Sequence, residues 1–240
     1  MLIVLPPSET KAPGGEFDGM SLSFPALDPI RTLLIDELSR TPVDTPPSKR
    51  DEAAENFTLR TNPVMPAAHR YTGVLYDALA ATTLPEGALE HLAIGSALFG
   101  VVRASDTIPR YRLSGGTKLA GKTMKAWWGS AISDVLAEQG FVVDMRSGAY
   151  KQLGPVPDAS GPVPGAGAAG GAGAMTVRVE QADTGKVVSH FNKRYKGELA
   201  RSLASSPTVA DAKSISDIAD LAAGAGFRVE VRGDELVLLI

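Results

Sequence analysis

The stretch from Ala93 to Lys118, AIGSALFGVVRASDTIPRYRLSGGTK, constrains the fold more than any other, because its apolar run stops abruptly and gives way to one acid, three arginines and a diglycine. A run of this kind is a buried element that delivers its carboxyl end to a surface, where polar groups meet solvent or a ligand. The pattern predicts a buried strand over His91 to Leu98 and a short turn or helix over Phe99 to Asp106. An extended return follows over Arg110 to Leu113, in which Tyr111 and Leu113 alternate with Arg110 and Arg112. Asp106, Arg110 and Arg112 are then expected close together, with Arg103 nearby, at the rim of a site. Alternatively, Asp106 caps a turn and the arginines pair with surface carboxylates.

Three further polar clusters follow predicted strands. Met1 to Leu5 is a short apolar strand whose exit is held extended by Pro6 and Pro7, and Ser8, Glu9, Thr10 and Lys11 come directly after it. Phe141 to Met145 reads as a strand followed by RSGAYK, which carries Ser147, Tyr150 and Lys151. Thr176 to Gln181 alternates, Asp183-Thr184-Gly185 turns, and Lys186 to Phe191 returns as the second arm of a hairpin. Asn192 to Ala204 then forms a helix bearing Lys193, Arg194, Lys196 and Arg201, of which Lys193, Lys196 and Arg201 fall near one face. Polar residues just past strand ends are where sheet proteins meet their ligands.

Between these clusters the pattern is structural. Asp28-Pro29 starts a helix, with Asp28 as N-cap and Ile30, Leu33, Leu34 and Leu38 on one face. Lys49 to Phe57 is a short charged helix with little to bury, and Pro66 opens another with Tyr71, Val74, Leu75 and Leu79 in a stripe. Lys122 to Gly140 makes a helix with both tryptophans inward, Val209 to Ala223 makes another, and the chain closes in a hairpin of Phe227 to Val231 with Leu236 to Ile240. From Gly154 to Ala174 the chain is Gly, Ala and Pro with hardly a charge, which predicts a flexible inserted loop, not a domain boundary. The sum is an α+β (mixed α/β) architecture in a single domain over residues 1–240, with a central mixed sheet and hairpins in the C-terminal half.

Composition narrows the chemistry. Cysteine is absent, so disulfides, thiolate catalysis and cysteine-held zinc or iron–sulfur clusters are excluded. His69, His91 and His190 are scattered without metal-ligand spacing, and no phosphate-binding P-loop, GxGxxG or GxSxG motif is present, so neither a metal nor a cofactor is expected. The net charge of −3 makes any anion site a local one. The opening MLIVL is too short for a signal peptide, and no run approaches the roughly 20 apolar residues of a membrane span, so a cytoplasmic protein without membrane contact is expected.

The segments MLIVLPPSETK, SALFGVVRASDTIPRYRLSGG, the KTMKAWWG of Lys122 to Gly129, the SxxYK of Ser147 to Lys151, and FNKRYKGELAR, taken in order, resemble the YaaA family of peroxide stress proteins over nearly the whole chain. The resemblance implies a cytosolic protein that protects against hydrogen peroxide, limits free iron and so spares DNA, and it implies DNA binding. Where that family often has S-P-A-K-T, G-L-Y-G and an acidic residue before the strand-end tyrosine, this chain has SETK, ALFG and SGAY.

Two functions from different classes are consistent with these residues. In the first, a basic cleft binds double-stranded DNA or a nucleotide-like anion through Ser8, Arg103, Arg110, Arg112, Ser147, Lys151, Asn192, Lys193, Arg194, Lys196 and Arg201, since guanidinium and ammonium groups match phosphate oxygens. In the second, an enzyme acts on DNA bases or a nucleotide-like metabolite by glycosylase, lyase or group-transfer chemistry. Glu9 or Asp106 then serves as acid or base, Lys11 or Lys151 as nucleophile or electrophile, and Tyr150 as proton donor. Direct iron ligation is a distant third, because neither cysteines nor a histidine cluster exists. Convergence of the four strand-end clusters on one cleft is the test that bears on all of these.

Overall fold

The computed structural model describes residues 1–156, 173–188 and 191–240. Its strands are β1 (Leu2–Leu5), β2 (Val64–Pro66), β3 (Leu92–Ser96), β4 (Gly100–Arg103), β5 (Thr107–Pro109), β6 (Lys118–Leu119), β7 (Lys122–Thr123), β8 (Val142–Asp144), β9 (Ala174–Glu180), β10 (Val229–Arg232) and β11 (Glu235–Leu239). Its α-helices are α1 (Asp28–Leu38), α2 (Arg50–Ala54), α3 (Ala67–Arg70), α4 (Val74–Leu79), α5 (Met124–Trp128), α6 (Ala131–Ala137), α7 (Gly148–Gln152), α8 (Asn192–Ala204) and α9 (Ile215–Gly224).

Every residue of β1 and β3 is buried, the condition of a parallel strand covered on both faces. Both sit inside a seven-stranded sheet of order β10-β11-β9-β8-β1-β3-β4. The run β11, β9, β8, β1, β3 is parallel, with registers such as Ile3 opposite Leu92 and Val4 opposite Asp144, and the antiparallel β10 and β4 close the two edges. The architecture is therefore the mixed α/β arrangement expected. The C-terminal half departs in one respect: β9 lies parallel to both neighbours, so its hairpin is confined to β10–β11. Of the return over Lys186 to Phe191, the described residues show an antiparallel bridge of Val187 with Glu180, and Ser189 lies outside the described residues. His190 and residues 157–172, on which the Gly154 to Ala174 expectation falls, lie outside the described residues.

From β1 the chain crosses to β3 on one side and later reaches β8 on the other. The strand order thus reverses at β1, and the crevice beyond the carboxyl ends of β1, β3 and β8 is the place where an open parallel sheet admits a ligand.

Several elements differ from expectation for physical reasons. Phe99 to Asp106 is not a turn or helix, because Val101 and Val102 are as buried as β3 and continue it as a hairpin through Gly100. Gly100 has φ 74, and a Cβ there would stand 2.9 Å from the Trp128 ring. Arg31 takes the inward position that the α1 pattern gave to Leu33, which is 56% exposed. The Arg31 Nε and Nη2 donate to the Phe99 and Val101 carbonyls at 3.0 and 2.8 Å, which satisfies the outer edge of the sheet. Asp28 is the first residue of α1 and accepts from Arg31 instead of capping. The helix expected from Pro66 splits at an extended Tyr71 to Gly73, leaving Val74 exposed and Tyr76 buried. Gly129 divides the Lys122 to Gly140 helix into α5 and α6, and α9 starts only at Ile215, where Ser214 and Asp217 form a capping box. No helix among the described residues is long and apolar enough to cross a membrane.

Candidate functional site

The chain leaving β1 turns through Ser8 to Thr10 and bridges Tyr71 at Lys11, which carries the lysine side chain back over the sheet. Lys11 is 7% exposed. Its Nζ donates to the Ser8 carbonyl at 3.2 Å and stands 4.3 Å from the centre of the Tyr111 ring and 5.4 Å from that of Tyr71. The tyrosines are locked in turn: the Tyr71 and Tyr111 hydroxyls are 2.7 Å apart, and Tyr111 is 2.7 Å from the Ser96 Oγ at the end of β3. Burial pushes Tyr71 up to about 12 and raises Tyr111 and Tyr76 well above the ordinary tyrosine value, so all three stay neutral. Burial pushes Lys11 the other way, down to about 8, against the opposing pull of Glu52 and Glu9 and with a further push from Arg112 and Arg110.

Those arginines arrive on the predicted alternation: Tyr111 and Leu113 are buried while Arg110 and Arg112 are half-buried at the surface of the crevice. Arg112 Nη1 donates to the Glu9 carbonyl at 3.0 Å and pairs with its carboxylate at 3.3 Å. Arg110 Nη1 pairs with Glu55 at 2.7 Å, while its buried Nε has no hydrogen-bond partner among the described residues. The segment over both is the one read as a charged helix with little to bury. It buries Glu52 and Asn56, each 2% exposed. Asn56 donates to the Arg112 carbonyl at 2.9 Å and accepts from the Arg112 amide at 2.8 Å, holding that backbone like a strand partner. Neither carboxylate oxygen of Glu52 has a hydrogen bond among the described residues, and the nearest cation is Lys49 at 3.6 Å. Sequence reasoning missed both residues because a helix that buries polar groups shows no apolar stripe; their i, i+4 spacing was the available signal.

Past β8, a buried ion pair of Arg146 with Asp144 at 2.8 Å also donates to the Gly154 carbonyl at 2.8 Å, and so anchors the loop carrying α7. Gly95 makes room for it, since a Cβ there would stand 2.8 Å from the Arg146 Cδ. Ser147 precedes α7 without a side-chain cap bond and is exposed, as is Lys151. Tyr150 packs where Gly115 has no side chain, and burial together with the Glu9 charge raises it far above the ordinary tyrosine value. Lys196, on the first turns of α8, donates to the Met145 carbonyl at 3.0 Å. Burial lowers it to about 8, with Asp144 opposing and Lys151 adding to the shift. A cavity of about 40 Å³ is lined by Asp144, Lys151, Thr176 and Asp234.

The structure thus brings Glu9, Lys11, Arg110, Arg112 and Tyr150 together, with Ser8 on the same loop, and sets Lys151 and Lys196 at the neighbouring strand end. Others fall elsewhere. Arg103 pairs with Ala93 at the amino end of β3, opposite to the crevice, because the hairpin runs the chain back down the sheet. Its guanidinium donates to Glu90 and Gln139. Asp106 does not join Arg110 and Arg112: its oxygens accept from the Ser23 hydroxyl at 2.6 Å and from the Ser23 and Arg103 amides at 2.9 Å, the role of a turn cap. Arg201 donates to the Leu79 and Ala80 carbonyls and caps α4. Asn192 begins α8, Arg194 pairs with Glu198 along its exposed face, and Lys193 is exposed. No three His, Cys, Asp or Glu side chains group as metal ligands among the described residues.

Comparison with known proteins gives a consistent relationship. The family model described as peroxide stress protein YaaA matches residues 1–231. A UPF0246 protein of Corynebacterium efficiens is 52% identical over 262 aligned residues, covering 100% of both chains. A UPF0246 protein of Corynebacterium glutamicum strain R is 50% identical over 249 residues, covering 96% of this chain and 95% of its own. One from Streptomyces coelicolor is 38% identical over 257 residues, covering 96% of this chain and 92% of its own.

Proposed function

This chain belongs to the YaaA family of peroxide stress proteins, and from that premise we propose that it serves the response to peroxide by binding a phosphate-bearing ligand, duplex DNA foremost, in the crevice beyond β1, β3 and β8. The observation that carries this reading is the gathering of cations past the end of β1: Lys11, Arg110 and Arg112 lie in one group, Lys11 without an ion pair among the described residues and Arg112 one fifth exposed beside Glu9. Each cation of the group has a carboxylate near it, Glu9 beside Arg112, Glu55 beside Arg110 and Glu52 near Lys11, so a bound phosphate would take the place of the most exposed of these, Glu9, on Arg112. Lys151 and Lys196, also coupled to each other, extend the charge to the next strand end. Bound along DNA, such a protein shields the duplex from iron-dependent oxidants, and that is how we read its part in limiting damage.

Fluorescence anisotropy with a labelled duplex tests the proposal. Binding should weaken steeply with salt, and Arg112→Gln and Lys151→Glu should each weaken it about five- to tenfold. Affinity indifferent both to salt and to the two substitutions would sink it.

A further inference from the structure

We propose that Lys11 is a nucleophilic amine that captures small carbonyl compounds bearing an anionic group, with Glu52 as the carboxylate that moves the proton. The anionic part rests on the phosphate-binding reading of the crevice, whereas the amine chemistry rests on the surroundings of Lys11 and on the buried Glu52 carboxylate, which accepts no hydrogen bond among the described residues.

Lys11 Nζ has one acceptor, the Ser8 carbonyl, and is otherwise walled by the faces of Tyr111 and Tyr71. The charges that act on it are Glu52 on α2, Glu9 on its own loop, and Arg110 and Arg112 on the return after β5, and Glu52 is itself paired with Lys49 at 3.6 Å. Glu52 is the opposing charge that Lys11 feels most strongly. It is 2% exposed, and both of its oxygens lack a hydrogen bond among the described residues. A buried carboxylate left in that state costs the fold free energy, and groups of this kind concentrate where chemistry needs them. An ammonium is no nucleophile, but burial holds Lys11 at about 8, so about one molecule in ten carries the free amine at pH 7.

The step balances without a further reactant. The Nζ electron pair bonds to the carbonyl carbon and the C=O π pair moves to oxygen. Glu52, which has no direct contact with the Nζ, takes the proton released from nitrogen through one water and returns it by the same route to that oxygen. The C–O bond of the carbinolamine then breaks, water departs and an imine remains; hydrolysis reverses the sequence. Arg112, one fifth exposed, is placed to hold the anionic group.

Pyridoxal phosphate and pyridoxal serve as probes on the full chain, followed by borohydride reduction and peptide mass mapping. The expected result is an adduct at Lys11 formed well ahead of those at the exposed Lys151 and Lys193. Glu52→Gln should slow it about a hundredfold while circular dichroism and melting show an intact fold, and Arg112→Gln should slow the phosphate probe alone. Adducts spread over exposed lysines with Lys11 unlabelled would overturn the proposal. Lys196, also lowered to about 8, is the internal control: labelling of both at one rate, or at an unchanged rate in Glu52→Gln, would overturn the role of Glu52. Equal labelling of Lys11 by both probes, unaffected by Arg112→Gln, would uphold the amine and overturn the anion-binding reading.

Discussion

Lys11 and Lys196 each hold a proton less tightly in the folded chain than an exposed lysine does, both near 8 because of burial. Between about pH 8 and pH 10 the unfolded chain therefore binds protons that the folded chain has released, and the free energy of unfolding rises with pH. The rise is at most about 1.4 kcal/mol per pH unit for each lysine. Below pH 8 the penalty is present in full and flat; the buried tyrosines, shifted upward, act in the opposite direction only at higher pH. Urea denaturation at pH 7, 8, 9 and 10 should show this climb, and Lys196→Met should remove about half of it. A flat wild-type profile would refute the assignment. Glu52 sets a second expectation, because a residue kept for chemistry and not for stability should be improvable. Glu52→Gln, which replaces a buried carboxylate that accepts no hydrogen bond and has only the 3.6 Å contact with Lys49, should raise stability by about 1 kcal/mol, read as a higher melting temperature in the same variant that slows Lys11 labelling. Lys11 was legible in the sequence because it follows a strand end; Glu52 was not, because its burial depends on a fold that the local pattern does not encode.

The segment from Pro47 to Thr58 decides at the scale of elements how Arg112 is presented. Asn56→Ala would leave the Arg112 amide and carbonyl unpartnered at a half-buried site, costing about 2 kcal/mol and weakening duplex binding through a guanidinium that is no longer held. Denaturation and anisotropy on one variant check both, and unchanged affinity at reduced stability would separate the segment from the site. The packing of α8 on α4 yields a test by sign. In an unobstructed helix, Gly→Ala stabilises by about 0.5–1 kcal/mol. Gly197, however, lies against α4, where a Cβ would collide with the Leu75 carbonyl oxygen and come within 2.9 Å of the Ala78 Cβ. Gly197→Ala should instead destabilise by about 1–3 kcal/mol in thermal melts. Elements with one uninterrupted signal, such as Leu2–Leu5 and Asn192–Ala204, were readable from the sequence to within a residue. Those broken by a single long-range contact, such as Arg31 displacing Leu33 or Tyr71 interrupting its helix, were not, because the partner lies tens of residues away.

Across the whole molecule, alternation of apolar runs and helices pointed to a mixed sheet, but strand order and direction depend on pairings between residues far apart. The parallel β9–β11 contact and the reversal at β1 are of this kind. That reversal matters because it places three of the four polar clusters at one edge of the sheet while sending Arg103 to the other. With a net charge of −3, a polyanion has to be met by local cations and not by the molecule as a whole. Duplex binding should reflect the few cations at the crevice that solvent reaches, chiefly Arg112 and Lys151. Neutralising about two phosphates gives a slope of log affinity against log salt near −2 (about −0.9 for each). Raising salt fourfold should then weaken binding roughly tenfold, and Lys151→Glu should make the slope shallower by about one. A slope several times steeper would mean that phosphates contact a broad surface away from β1, and a slope near zero that the ligand is not held by its charge.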